Sequence, residues 1–160
     1  MQSRLEYRES SPEGFAAMRQ LNSYVESCGI EHSLLELVKT RASQINGCAY
    51  CLDMHTRDAR AAGETEQRLY MLSAWRETPF FSPRERAALA WTEVVTRISE
   101  YAVDDELYVE LRQHFSEKEA VDLTLAVITI NGWNRLAISF GSEVGSHRRS
   151  DATRQGVRTR

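Results

Sequence analysis

Two cysteines three residues apart, Cys48 and Cys51, have the type and spacing to do chemistry. On a helix this spacing puts both sulfurs on one side, where a disulfide needs only modest adjustment. Gly47 directly precedes them and sets the start of a helix beside them. Unpaired backbone N–H groups at a helix N-terminus favour negative charge, so a thiol placed there gives up its proton more readily. The thiolate is the nucleophile. His55 follows Cys51 by four residues, one helical turn on and on the same face. Its imidazole can accept the Cys51 proton, directly or through a water. A base of this kind needs an orienting partner, and a carboxylate on a neighbouring helix serves. Glu36 is the candidate, set among Leu35, Leu37 and Val38 on the preceding helix.

These residue types admit other readings. In a reducing compartment a C-x-x-C pair is usually redox-active or metal-binding. In the metal reading, Cys48, Cys51 and His55 are ligands and Glu36 is a fourth. A catalytically idle helical oligomer is a further alternative, though it leaves the constellation unexplained. Two cysteines at a helix start with a histidine one turn on favour redox chemistry. Which cysteine attacks stays open at this level: Cys48 is nearer the helix start, whereas Cys51 has His55. The third cysteine, Cys28, sits at helical spacing from Phe15, Met18, Leu21 and Val25 and reads as a small buried hydrophobe.

The elements that must position these groups are helices, because strand signals are nearly absent. Ser11-Pro12 reads as an N-cap with proline at the first helical position, opening a helix that runs to about Cys28 with Gly29 as its stop. A second helix covers about His32 to Asn46 and ends at Gly47. A third begins at or just before Cys48 and ends at Gly63, its alanines 59, 61 and 62 allowing close packing. A fourth starts near Thr65 and shows Leu69, Leu72 and Trp75 on one face. Ser82-Pro83-Arg84-Glu85 combines a capping box with proline at the first position and opens a fifth, with Leu89, Thr92, Val95 and Ile98 as its stripe. Asp104 caps a short helix carrying Leu107, Tyr108, Leu111 and Phe115. A second capping box at Ser116–Glu119 opens a long helix that ends near Phe140, with Gly141 as its stop. The expected fold is therefore all-α, a compact bundle of about six to seven helices.

The long last helix is apolar on most sides from Val121 to Ile130, which in a chain of 160 residues points to a subunit contact and a homo-oligomer. Residues 1–141 read as a single helical domain and 142–160 as a basic, disordered C-terminal tail. The net charge of -3 offers no basic field for nucleic acid. No apolar run reaches the roughly 18 residues of a membrane span. Glu6, Arg8 and Glu9 interrupt any export-signal pattern, so the expected compartment is the cytosol. The odd, small cysteine count argues against a structural disulfide framework.

The pattern Glu36, eleven residues, Cys48-Ala49-Tyr50-Cys51, three residues, His55 resembles the motif of the AhpD-like alkylhydroperoxidase group within the carboxymuconolactone decarboxylase superfamily. The stretch Lys39 to Gly47 before the first cysteine fits, and Asn131-Gly132-Trp133-Asn134-Arg135-Leu136-Ala137 is similar to the family's closing helix. The resemblance covers about residues 12 to 140. It implies an all-α AhpD-like bundle assembled as a trimer or hexamer. It implies an alkylhydroperoxidase-like thiol peroxidase that needs no cofactor or metal, with a hydroperoxide substrate and an external dithiol or disulfide-reductase donor. It implies Cys51 as the peroxidatic cysteine, Cys48 as the resolving one, His55 as the proton acceptor and Glu36 as the anchor of the relay. The superfamily's decarboxylases do not depend on a cysteine pair, so the presence of one counts against a lactone-acid decarboxylase. The best-studied type has a histidine just before the second cysteine. Tyr50 stands there instead, and a phenol with an ordinary pKa of about 10 is a poor base near neutrality.

Overall fold

A computed structural model describes residues 3–146, and among these every regular element is helical. The α-helices are α1 (Tyr7–Ser10), α2 (Pro12–Ser27), α3 (His32–Asn46), α4 (Ala49–Ala61), α5 (Glu66–Met71), α6 (Pro83–Thr96), α7 (Asp105–His114) and α8 (Glu117–Phe140), with a 3₁₀ helix over Leu72–Glu77 after α5. No helix of the described residues is long and apolar enough to cross a membrane. All but the first five residues of the basic tail expected over 142–160 lie outside the described residues.

The boundaries follow from capping chemistry. Ser82 and Ser116 each accept a hydrogen bond from the backbone N–H three residues on, and Glu85 and Glu119 reach back to the cap N–H, so both capping boxes are complete. The Asp104 carboxylate accepts from the Leu107 N–H and opens α7. Gly47 and Gly141 end α3 and α8 with left-handed backbones, φ 68° and 71°, a conformation glycine adopts without a Cβ penalty.

Three departures from the sequence pattern have local causes. The expected fourth helix is α-helical only to Met71 and continues as the 3₁₀ segment Leu72–Glu77, which the non-helical Ala74 (φ -118°, ψ 30°) kinks. Leu69, Leu72 and Trp75 are nonetheless all buried, so the stripe survives the kink. Of the three alanines on α4, Ala59 alone is buried, while Ala61 and Ala62 are exposed at the helix end. Ile98 lies past the end of α6 and is 65% exposed, so the stripe of that helix stops at Val95. The four-residue α1 has no apolar periodicity to announce it. The chain just before it is tied down by the Arg4 N–H, which donates to the Phe140 carbonyl at 2.8 Å.

α3 is the central element. It packs on α4, α6 and α8 at once, and Leu34, Leu35, Leu37, Val38 and Ala42 are at most 3% exposed. Each such side chain contributes roughly 1.5–3 kcal/mol on burial. One side of α3 meets α6, α7 and α8 in an apolar cluster that includes Leu123, Val127 and Leu111. Its C-terminal end meets Cys48, Cys51, Ile130 and Ala137. The cysteines are thus seated in the packed junction of α3, α4 and α8. α2 lies across α8 with a less buried apolar stripe: Val25 is core, whereas Phe15, Met18, Leu21 and Cys28 are half-buried. Cys28 packs against the main cluster from its edge.

Candidate active site

The turn between α3 and α4 builds the site. With Gly47 left-handed, its N–H donates to the Gln44 carbonyl (3.3 Å) and the Cys48 N–H to the Ser43 carbonyl (3.0 Å), which satisfies carbonyls that α3 would otherwise leave open. Cys48 then takes the N-cap position of α4, and its sulfur accepts from the Cys51 N–H at 3.4 Å. The two Sγ atoms share a hydrogen bond 2.7 Å long, and both residues are free thiols, each 1% exposed.

Glu36, on α3, points at His55, on α4. Its Oε2 lies 2.9 Å from His55 Nδ1, and its Oε1 accepts from Lys39 Nζ at 3.0 Å. Burial alone would push the Glu36 carboxyl up, but the hydrogen bond and charge of His55, with those of Lys39, hold it down to about 2. An ionised carboxylate only accepts, so Nδ1 carries the ring proton and Nε2 keeps a lone pair. Lys39 is itself buried, which favours its neutral form, yet Glu36 and Glu26 hold it charged. Lys39 donates to Glu26 as well as to Glu36. The result is a line of alternating charge, Glu26, Lys39, Glu36, ending on the imidazole.

The thiols differ. The Cys48 thiol is drawn down to about 7 by the Cys51 thiol, which can donate to a Cys48 thiolate. The backbone N–H groups of Cys51 and Tyr50 and the Asn134 amide act in the same sense, against the effect of burial. Cys51 moves the other way, because its proton is held by the Cys48 sulfur and because it is buried. Access reverses the order. Cys51 and His55 line a cavity of about 450 Å³ together with Tyr50, and Cys48 sits behind them, outside its lining. His55 and Cys51 are not hydrogen-bonded to each other, so the two groups share the cavity without direct contact. Burial raises the Tyr50 phenol further above its ordinary value, which leaves Tyr50 a hydrogen-bonding wall and not a base.

All four residues singled out in the sequence, Glu36, Cys48, Cys51 and His55, are thus brought to one place. Two supporting groups escaped sequence reasoning. The sequence pattern gives Lys39 no role of its own, yet its side chain is 6% exposed between two carboxylates. Asn134 is fully buried on α8. Its Oδ1 accepts from Asn46 Nδ2 (2.8 Å) and its Nδ2 donates to Ser43 Oγ (3.1 Å), which fixes the amide orientation and leaves its N–H side toward the sulfurs. The signal available in the sequence was a polar residue interrupting an apolar stretch of α8. The metal reading loses its ligand set: among the described residues no three His, Cys, Asp or Glu side chains form a group that could hold a metal ion, and the Lys39 ammonium beside Glu36 opposes a cation there.

Comparison with known proteins gives the chain a family and a fold. The model of the carboxymuconolactone decarboxylase family matches residues 12–94, a span that contains the α3–α4 turn and all four site residues. An uncharacterised protein of Bacillus subtilis, YdfG, is 47% identical over 146 residues, which is 91% of this chain and 99% of that protein. A crystal structure from Agrobacterium tumefaciens, of a protein of unknown function provisionally assigned as the antioxidant defence protein AhpD, superposes with a TM-score of 0.86 at 45% identity. That match covers 89% of this chain and 97% of the other. The debrominase Bmp8 shares the fold, with a TM-score of 0.77 at 21% identity over 89% of this chain and 76% of its own.

Proposed function

Because this chain belongs to the carboxymuconolactone decarboxylase family, with an AhpD-like fold, we propose that it is a thiol-dependent hydroperoxidase working through Cys51 and Cys48. The family contains enzymes of more than one kind, so family alone does not select this reading. The observation that carries it is the division of labour around one cavity. Cys51 opens onto the cavity beside His55, Glu36 grips the far nitrogen of that imidazole, and Cys48 waits 2.7 Å behind.

The chemistry follows from those positions. His55 Nε2, in the same cavity lining as Cys51, takes the Cys51 proton through a bridging water or the substrate hydroxyl. Glu36 stabilises the imidazolium that results, as the carboxylate of a triad does. The Cys51 thiolate attacks one peroxide oxygen. A sulfur–oxygen bond forms, the O–O bond breaks, and the alkoxide leaves with the proton held by His55. Cys51 is now a sulfenic acid, two electrons having passed to the peroxide. Cys48, with its thiol already near 7, attacks the Cys51 sulfur. The S–S bond forms, and hydroxide departs as water with the Cys48 proton. An external dithiol returns both cysteines to thiols and leaves as its own disulfide. The lowered Cys48 thiol and the cavity-lining Cys51 thiol fit resolving and peroxidatic roles respectively.

The direct test is hydroperoxide reduction supported by a small dithiol. The wild-type protein is expected to turn over and Cys51→Ser to be inactive. With no dithiol present, Cys48→Ser should consume one equivalent of peroxide and stop at the sulfenic acid. Turnover undiminished in Cys51→Ser would sink the reading.

A further inference from the structure

The lining of the cavity that Cys51 shares is more specific than a small peroxide requires. Its volume of about 450 Å³ falls within the range of sites that enclose an organic molecule. Phe15 of α2 and Trp133 of α8 pack edge to face, 5.6 Å between centroids, and form an aromatic flank with Tyr50 and Tyr7. On that flank stand two arginines. Arg8 of α1 has its Cζ 5.4 Å from the Phe15 centroid and donates to the Tyr50 hydroxyl, one residue from Cys51. Arg19 lies one helical turn beyond Phe15 on the same face of α2 and also lines the cavity.

The charges around them do not cancel these two. Glu26 and Glu36 are both taken by the buried Lys39, and Glu36 also by His55. Asp58 pairs with Arg57. Neither Arg8 nor Arg19 forms an ion pair with these three acids, while Glu6 and Glu143 line the adjoining pocket with Arg8; Arg8 is braced by a ring and a phenol, which hold its guanidinium in place. The cavity thus offers an apolar aromatic body and two cations in the same lining as the Cys51 thiol.

We propose that this cavity selects organic hydroperoxides that carry a carboxylate, with the apolar body against Phe15 and Trp133 and the carboxylate held by Arg8 and Arg19. The proposal rests on the thiol hydroperoxidase reading and names the substrate class of that same site. A guanidinium is suited to this task because its planar fork matches a carboxylate bidentately. Hydrogen peroxide and short neutral alkyl hydroperoxides reach Cys51 but leave the arginines unused.

Two measurements on the full chain separate this proposal from the reading beneath it. The first is the second-order rate at which the reduced cysteine pair is oxidised by cumene hydroperoxide and by its para-carboxylate, with no reductant present. The carboxylate is expected to react about tenfold faster at low salt, the gain two partly exposed charges can give, and the ratio should shrink as salt rises. Arg8→Gln and Arg19→Gln should each bring the ratio toward one, while Arg19→Lys, which keeps the charge, should retain most of it. The second is equilibrium binding of the unreactive 4-isopropylbenzoate against its neutral alcohol, read calorimetrically. A ratio near one in the wild type, or a preference that survives both glutamine variants, overturns the carboxylate assignment. Preferential binding of the benzoate, lost in the glutamine variants, with no oxidation by any hydroperoxide, upholds the carboxylate site and overturns the peroxidase reading instead.

Discussion

Glu36 and His55 stand nineteen residues apart in the chain, yet their 2.9 Å contact decides what the imidazole can do. The carboxylate favours the ring proton on Nδ1, which in the proposed relay leaves Nε2 to act as the base. Glu36→Gln keeps the shape and removes the charge that stabilises the imidazolium. It is expected to slow oxidation of Cys51 by about 10²-fold, the lower end of what general acid–base catalysis supplies, with both thiols still titratable in the unfolded protein. The same substitution has a sign in stability. The Glu36 carboxyl is held near 2 against an ordinary 4.5. Its pairing therefore stabilises the fold above about pH 4.5 and is lost as pH falls toward 2, a contribution on the order of 3 kcal/mol. Acid denaturation followed by circular dichroism should show a shallower acid limb in Glu36→Gln than in the wild type. Asn134 acts on the sulfurs in a similar way. Absorbance at 240 nm should place the first thiolate near pH 7 in the wild type, and Asn134→Ala should move that midpoint upward, because a donor to the anion is gone.

At the scale of the element, the α3–α4 turn carries the site, and Gly47 carries the turn. A Cβ at Gly47 would meet no atom within 4 Å, so its cost is the left-handed backbone alone. Gly47→Ala should therefore destabilise the protein by about 1–2 kcal/mol, measured by urea denaturation, without leaving a cavity or a clash. This level was also the most legible in the sequence. Serine, aspartate, proline and glycine at helix ends act through their own backbone neighbours, so Ser82, Asp104, Ser116, Gly47 and Gly141 could be assigned without tertiary knowledge. The kink at Ala74 could not, since Leu69, Leu72 and Trp75 keep a helical period across it. Nor could α1, too short for any period. The four site residues were visible because their types and spacing are rare together. Lys39 and Asn134 were not, because their roles depend on burial and on partners reached only through the fold: Glu26, thirteen residues back, and Asn46, on another helix.

At the scale of the molecule, α8 explains why an apolar helix does not simply vanish into the core. Leu123, Ala126, Val127 and Ile130 are buried, but Val121 and Ile128 are 60% and 50% exposed and lie two turns apart on one face. Ile98, Tyr108 and Val109, from α6's exit and α7, are exposed too. A second copy of this chain is the expected cover for α8, in keeping with the oligomer inferred from sequence. Ile128→Glu should lower the mass seen by sedimentation velocity while leaving the helical content of each chain intact. An unchanged mass would remove this face from the assembly.

Under the proposed hydroperoxidase reading, the placement of Cys48 behind Cys51 would also set the order of events over a full cycle. Of these two free thiols, the one whose residue lines the cavity is Cys51, with Cys48 outside the lining. The incoming reductant must therefore attack Cys51 and expel Cys48. A thiol whose pKa lies near 7 is a good leaving group in such an exchange, so the property that suits Cys48 to closing the disulfide also suits it to opening one. Oxidant and reductant share a single doorway. They must take turns, and each in excess obstructs the other.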